Sequence, residues 1–141
     1  MQLDADALSE LMGGAAHPNP KVRWECAHLM DHVGDDRCIE ALVQLTHDPV
    51  PRVRAEALHA LGCARCKPCA LRIDAVALLV EAALTDPIAR VRGTAVFTLG
   101  FLPADARAAK ALERVAREDA DQDVHEGARR ALKHHSGVDY H

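Results

Sequence analysis

Asp48-Pro-Val-Pro-Arg-Val-Arg-Ala-Glu-Ala-Leu-His-Ala-Leu-Gly62 returns further along the chain as Asp86-Pro-Ile-Ala-Arg-Val-Arg-Gly-Thr-Ala-Val-Phe-Thr-Leu-Gly100. Asp, Pro, Arg, Val, Arg, Ala, Leu and Gly recur in register, so the chain is built from an internal repeat. A weaker copy starts at His17-Pro18 with Val22-Arg23, and a degenerate one runs from Asp119 through Val124, Ala128 and Leu132. Anchored on Val22, Val53, Val91 and Val124, the step from the second copy to the third is the longest.

Each copy reads as a helix. Val53, Ala57, Leu58 and Leu61 lie on one face of a 3.6-residue period, as do Val91, Ala95, Val96 and Leu99. An Asp or Asn ahead of the run suits a helix cap, and Pro51 suits a first turn whose amides have no partner. Gly62 and Gly100 are expected to close their helices as left-handed caps. Between these helices run other apolar stripes: Ala7, Leu8, Leu11 and Met12; Ile39, Leu42, Val43 and Leu45; Val76, Leu79, Val80 and Leu84; Ala108, Leu112, Val115 and Ala116. Each repeat is therefore expected to be a helical hairpin. A lone hairpin cannot bury both faces, so hairpins must stack. The expected fold class is an all-α superhelix (solenoid) of four hairpins, over residues 3–34, 35–62, 70–101 and 104–135. They form a single domain, 1–135, with an inter-repeat loop at 63–69 and a tail at 136–141.

The pattern Asp-Pro-x-x-x-Val-Arg-x-x-Ala-x-x-x-Leu-Gly resembles the HEAT repeat, in the short form also found in phycobilisome-lyase-like proteins. The resemblance implies a ladder in which the Asp before each second helix meets the Arg after its Val. Here that would use Asp48, Asp86 and Asp119 with Arg23, Arg54 and Arg92. His17 stands where the first repeat would have its Asp, and His125 where the last would have its Arg, so the ladder is expected to weaken at both ends. Arg129 and Lys133 replace apolar or Gly positions in the last repeat, as a polar terminal cap requires.

Composition agrees with a helical core: the residues are 49% apolar but only 3% aromatic in a chain of 141, long enough to bury a core without staples. A net charge of −4 and a pI near 6.1 offer no broad basic field, which argues against nucleic acid as the partner. No stretch has membrane-spanning length, and the opening residues 1–6 show no secretory signal, so a cytoplasmic location and no membrane role are expected. A monomer is the expected state.

In such a stack the second helices line the concave face. The residues expected there are Lys21, Trp24, Glu25 and His28; Arg52, Glu56 and His59; Arg90, Thr94, Phe97 and Phe101; and Asp123, Glu126 and Arg130. The only Trp and both Phe fall on or beside this face, and aromatic and Arg groups dominate binding energy at interfaces. A protein partner is the expected ligand. The bland alternative is that Trp24 and Phe97 only pack against neighbouring helices.

Cys63-Ala-Arg-Cys66-Lys-Pro-Cys69 lengthens the link between the second and third repeats and holds three of the five cysteines. Cys-x2-Cys-x2-Cys spacing suits zinc or an iron–sulfur cluster. Cys38 is the expected fourth ligand, with His59 or His32 as alternatives. Free thiols and a redox-active disulfide remain open beside the metal. Cys26 is expected to be a small core residue, and His134-His135 a helix-end pair.

Catalytic relatives fit poorly. Deoxyhypusine hydroxylases carry several His-Glu pairs, whereas only His125-Glu126 occurs here; alkylpurine DNA glycosylases use a basic concave surface that this acidic chain lacks. Phycobilin lyases share the short repeat, and Trp24, His28, His59 and Phe97 could line a bilin groove. No phosphate loop, nucleophile elbow or zinc-protease motif is present. The expectation is a scaffold without catalytic activity, with a bilin-lyase-like or other small-ligand-binding protein as the alternative.

Overall fold

A computed structural model describes residues 3–67 and 70–136. Among these residues there are eight α-helices, one short 3-10 helix and no strand: α1 (Ala5–Gly14), α2 (Pro20–Val33), the 3-10 turn Asp36–Cys38, α3 (Ile39–Leu45), α4 (Pro51–Gly62), α5 (Ala75–Thr85), α6 (Ala89–Leu99), α7 (Ala106–Glu118) and α8 (Gln122–Ser136). The expected all-α class of four helical hairpins is met. Beyond Ser136, the expected C-terminal tail lies outside the described residues.

The chain divides into two compact units, Met1–Ile73 and Asp74–His141. In the first, α1 pairs with α2 and α3 with α4, and α2 packs on α4. In the second, α5 pairs with α6 and α7 with α8, α6 packs on α8, and α5 packs on α7. The buried stripes of the second helices are those the periodicity marks: Ala27 and Met30; Val53, Ala57, Leu58 and Leu61; Val91, Ala95, Val96 and Leu99; Val124, Ala128 and Leu132. Ala57, Ala95 and Ala128 at the middle of the last three stripes keep the facing helix close, and each fully buried Leu or Val contributes about 1.5–3 kcal/mol. The stripe of α5 is turned from its expected register: Ala75, Leu79 and Ala83 are buried, whereas Val76, Val80 and Leu84 are only half-buried. With Leu and Val on several faces, hydrophobicity alone does not choose among them.

The caps differ from the sequence expectation in an informative way. Asn19 caps α2 by accepting from the Lys21 amide, with Pro20 as the first helical residue. Asp48 and Asp86, however, sit two residues before the N-caps Val50 and Ile88, and accept from those residues' amides at 2.9 and 3.0 Å. Each Asp thus closes the turn between paired helices and does not cap the second one. Gly62 and Gly100 are not left-handed: α4 ends on Cys63 in extended backbone, and Gly100 has φ −62°. Gly34, after α2, is the one left-handed glycine among the described residues, at φ 65°. Gly100 serves close approach instead, since a Cβ there would come within 3.3 Å of Ala131 Cβ on α8.

Two rungs of the expected ladder lie inside the units. Arg23 reaches Asp48 with Nε–Oδ2 at 2.7 Å and Nη2–Oδ1 at 3.1 Å, while its Nη1 donates to the carbonyls of His17 and Pro18. Arg92 grips Asp119 at 2.8 and 3.0 Å, and its Nη1 donates to the carbonyls of Asp86 and Pro87. One guanidinium therefore ties its own turn to the next hairpin's turn by a bidentate, charge-assisted contact. In the second unit Arg107 makes a similar clamp between Asp74 and Asp105, which precede α5 and α7. Its hydrogen bonds hold the Asp105 carboxyl down at about 2. The histidine pair closes the same unit: His135 accepts from the Asp105 amide at Nδ1 and donates from Nε2 to the Leu99 carbonyl, and His134 Nε2 meets the Leu102 carbonyl. His134-His135 is thus a structural helix-end pair.

Burial pulls the Asp48 carboxyl upward, but Arg23 and the Val50 amide outweigh it and hold it below its ordinary value. Arg92 does the same for Asp119. A carboxyl depressed in the folded chain contributes stability that is complete above its unfolded pKa, about 3.9, and is lost as the pH falls through the folded value. Stability from urea unfolding is therefore expected to drop as the pH falls below about 4. Asp119→Ala is expected to lower it by about 2–3 kcal/mol at neutral pH, the worth of hydrogen bonds to a charged group plus the unpaired guanidinium. An unchanged midpoint in that variant would show that the rung carries no stability.

Candidate functional site

Across α2 and α4, in the first unit, runs a connected row of side chains. The Arg52 guanidinium lies 4.5 Å over the Trp24 ring. Trp24 stacks on His28, one turn on, at 5.1 Å and 9°, and His28 meets His32 edge-on at 4.7 Å. His28 Nδ1 donates to Glu56 Oε1 at 2.9 Å, and His32 Nδ1 to the Cys66 carbonyl at 3.2 Å. Residues spaced four apart on α2 stack along one line, and their partners on α4 face them across the helix pair. Of the expected surface residues, Trp24, His28, Arg52, Glu56 and His59 are brought together here, whereas Glu25 is exposed on α2.

At the end of this row lies a denser cluster. His59 stands one turn before the end of α4, and Cys63 is that helix's C-cap, its amide bonded to the His59 carbonyl at 2.8 Å. The chain then turns back so that Cys66 Sγ comes 3.1 Å from Cys63 Sγ and 3.4 Å from His59 Nε2. The three ligand-type atoms all lie within 4.8 Å of one another. Behind them Lys67 Nζ makes a 2.7 Å contact with Asp31 Oδ1 and donates to the Cys63 carbonyl, while Asp31 Oδ2 lies 3.5 Å from His59 Nε2. Both side chains of this ion pair are almost wholly buried, Asp31 being 1% exposed. Nothing in the repeat pattern marks Asp31 or Lys67. Only their burial opposite one another identifies them.

The expected metal ligands separate. Cys63 and Cys66 join His59, one of the alternative fourth ligands, whereas Cys38 is buried at the end of the 3-10 helix and does not belong to the group. His32 turns its Nδ1 to a backbone carbonyl. Cys69 lies outside the described residues. The four described cysteines are free thiols. Cys26 is half-buried beneath Gly14, where a Cβ would strike its sulfur. The thiol contact with Cys63, burial and the Asp31 charge push the Cys66 thiol up to about 12, with Lys67 opposing.

The second unit presents a groove of about 680 Å³ between α6 and α8. Its rim carries Phe97 and Phe101, 59% and 47% exposed, edge-to-face with centroids 4.8 Å apart. Arg90, Asp121, Asp123 and Arg130 line it together with Gly93 and Gly127. A Cβ at Gly93 would meet Val124 at 3.7 Å, and one at Gly127 would meet Val96 at 3.5 Å, both ordinary contacts. Packing therefore does not require either glycine. Each costs its helix about 0.5–1 kcal/mol relative to Ala, and what each provides is depth. Of the expected residues, Arg90, Phe97, Phe101, Asp123 and Arg130 line this groove, whereas the Thr94 hydroxyl is turned back onto the Arg90 carbonyl.

The Asp31–Lys67 pair is expected to dominate the mutational sensitivity of the first unit. Asp31→Ala leaves a buried ammonium without its counter-ion and should cost about 3–5 kcal/mol. Exchanging both partners, Asp31→Leu with Lys67→Met, should cost distinctly less. Equal losses in chemical denaturation would show that the pair is not coupled.

A comparison with curated proteins finds no significant match. The family model for HEAT repeats matches residues 5–73 and, overlapping them, 63–133, so the matches cover nearly the whole described chain. With the recurring Asp-Pro and Val-Arg signatures on paired helices, the chain belongs to the HEAT-repeat family.

Proposed function

We propose that this chain is a non-catalytic repeat scaffold that binds a protein partner through the surface of its second helices, with the α6–α8 groove as the principal contact. The observation carrying this reading is the pairing of two exposed aromatic rings with a groove lined by glycines that the packing does not need. Exposed Phe side chains forgo the free energy of burial, and helical glycines forgo propensity. Both become favourable when a partner's apolar side chain enters the groove and covers the rings. Arg90, Arg130, Asp121 and Asp123 around the rim would select a partner segment with an apolar anchor flanked by charges of both signs. In the first unit the Trp24–Arg52 stack offers a second aromatic contact.

A small apolar ligand, such as a bilin, is the second reading. It is favoured by the groove volume, which falls within the about 300–1,000 Å³ typical of small-molecule sites.

The test separates folding from binding. Gly93→Ala and Gly127→Ala should each raise stability by about 0.5–1 kcal/mol while weakening binding. Phe97→Ala combined with Phe101→Ala should abolish it with the fold intact by circular dichroism. Binding is read as enrichment in peptide-display selection on the wild-type chain, followed by titration of the selected peptides. Peptides that bind wild type and the double Phe variant equally would overturn the groove reading. A saturable absorbance change on titration with a bilin, lost in the double variant, would favour the second reading instead.

A further inference from the structure

We propose that His59, Cys63 and Cys66 form a binding site for one zinc-type divalent ion, closing the reversal of the chain at the end of α4. The site lies within the first unit and is independent of the groove reading.

Donor type comes first. Two thiol sulfurs and one imidazole nitrogen converge, a set that selects zinc over the oxygen-seeking calcium and magnesium. Distance comes second. With Zn–S near 2.3 Å and Zn–N near 2.0–2.1 Å, a tetrahedral ion sets its ligand atoms about 3.8 Å apart for S–S and about 3.6 Å for S–N. The observed Cys63–Cys66 and Cys66–His59 separations are 3.1 and 3.4 Å and the third side of the triangle is within 4.8 Å, so an ion entering it needs changes in these separations of about 1 Å or less.

The surroundings hold this arrangement from three sides. The Cys66 carbonyl accepts from His32, Lys67 is anchored to Asp31 on α2, and the Lys67 ammonium also grips the Cys63 carbonyl. Both cysteines are thereby fixed through backbone and neighbours, leaving their sulfurs turned toward His59. Such support of ligands by buried hydrogen-bonded groups is what metal affinity depends on. Charge closes as well. Asp31 and Lys67 neutralise one another, and a dication bound by two thiolates adds no net charge to a partly buried site. Binding converts two S–H groups to Zn–S bonds and releases two protons to solvent, while the imidazole contributes its Nε2 lone pair. The described residues supply three ligands of this ion.

The experiment uses the full chain, purified under a reducing agent without chelator, with thiol titration confirming reduced cysteines. Metal content is measured by mass spectrometry. The apo protein is then titrated with Zn(II) against a chromophoric chelator, and with Co(II) to record its spectrum. One ion per chain is expected, with a thiolate-to-Co(II) charge-transfer band and the strong visible bands of four-coordinate cobalt. Cys66→Ser and His59→Gln should each weaken Zn(II) binding more than about 100-fold, the upper end of what losing an outer-shell partner costs, whereas Cys26→Ser should leave it unchanged. Far-UV circular dichroism of each variant keeps loss of fold apart from loss of ligand. Sub-stoichiometric, weak Zn(II) uptake by the reduced wild-type chain would overturn the proposal. So would affinity unchanged in the folded Cys66→Ser and His59→Gln proteins.

Discussion

A helical hairpin has two apolar faces and can cover only one of them with its own partner helix, and every other feature of this chain answers to that constraint. Within each unit the second helices lie close together, α2 on α4 and α6 on α8, and Ala57, Ala95 and Ala128 stand at the centre of their stripes with no exposure. Close approach brings adjacent turns within reach of one another. There an Arg from one hairpin and an Asp from the next form a bidentate pair, Arg23 with Asp48 and Arg92 with Asp119. The same guanidinium caps carbonyls of its own turn, so a contact between hairpins also completes the local hydrogen bonding of each.

One side of each second helix is consumed by packing and the adjacent side by the ladder, and a third side remains. The two units use it differently. In the first it carries ordered polar and aromatic contacts, Trp24 to Arg52 and His28 to Glu56. In the second the corresponding surface is hollow, with exposed rings and a glycine lining. That difference is the reason to place the principal contact on α6 and α8.

The lengthened link between the second and third repeats is also explained by burial. A loop of this kind normally keeps a lysine in water, yet the Lys67 side chain is buried against an equally buried Asp31. An ion pair so placed gains little in net stability, but it fixes one geometry, since no other position satisfies both charges. The geometry it fixes is that of Cys63 and Cys66 facing His59.

Much of the fold was legible in residue order. The recurring Asp-Pro and Val-Arg pairs, and stripes such as Val53, Ala57, Leu58 and Leu61, determined helix positions, hairpin count and family, because periodicity and turn chemistry are local properties. Local reasoning misplaced the roles of Gly62, Gly100, Asp48 and Asp86, since a glycine for close approach and a glycine for a left-handed cap look alike until the neighbouring helix is present. Cys63 and Cys66 could be suspected from spacing, and His59 as one of several partners. That His59 and not Cys38 completes the group, that Asp31 and Lys67 support it, and that Gly93 and Gly127 line a groove were decided only by tertiary structure. Each depends on which side chains distant in sequence are pressed together, and burial and charge pairing, unlike periodicity, belong to the packed chain and not to any segment of it.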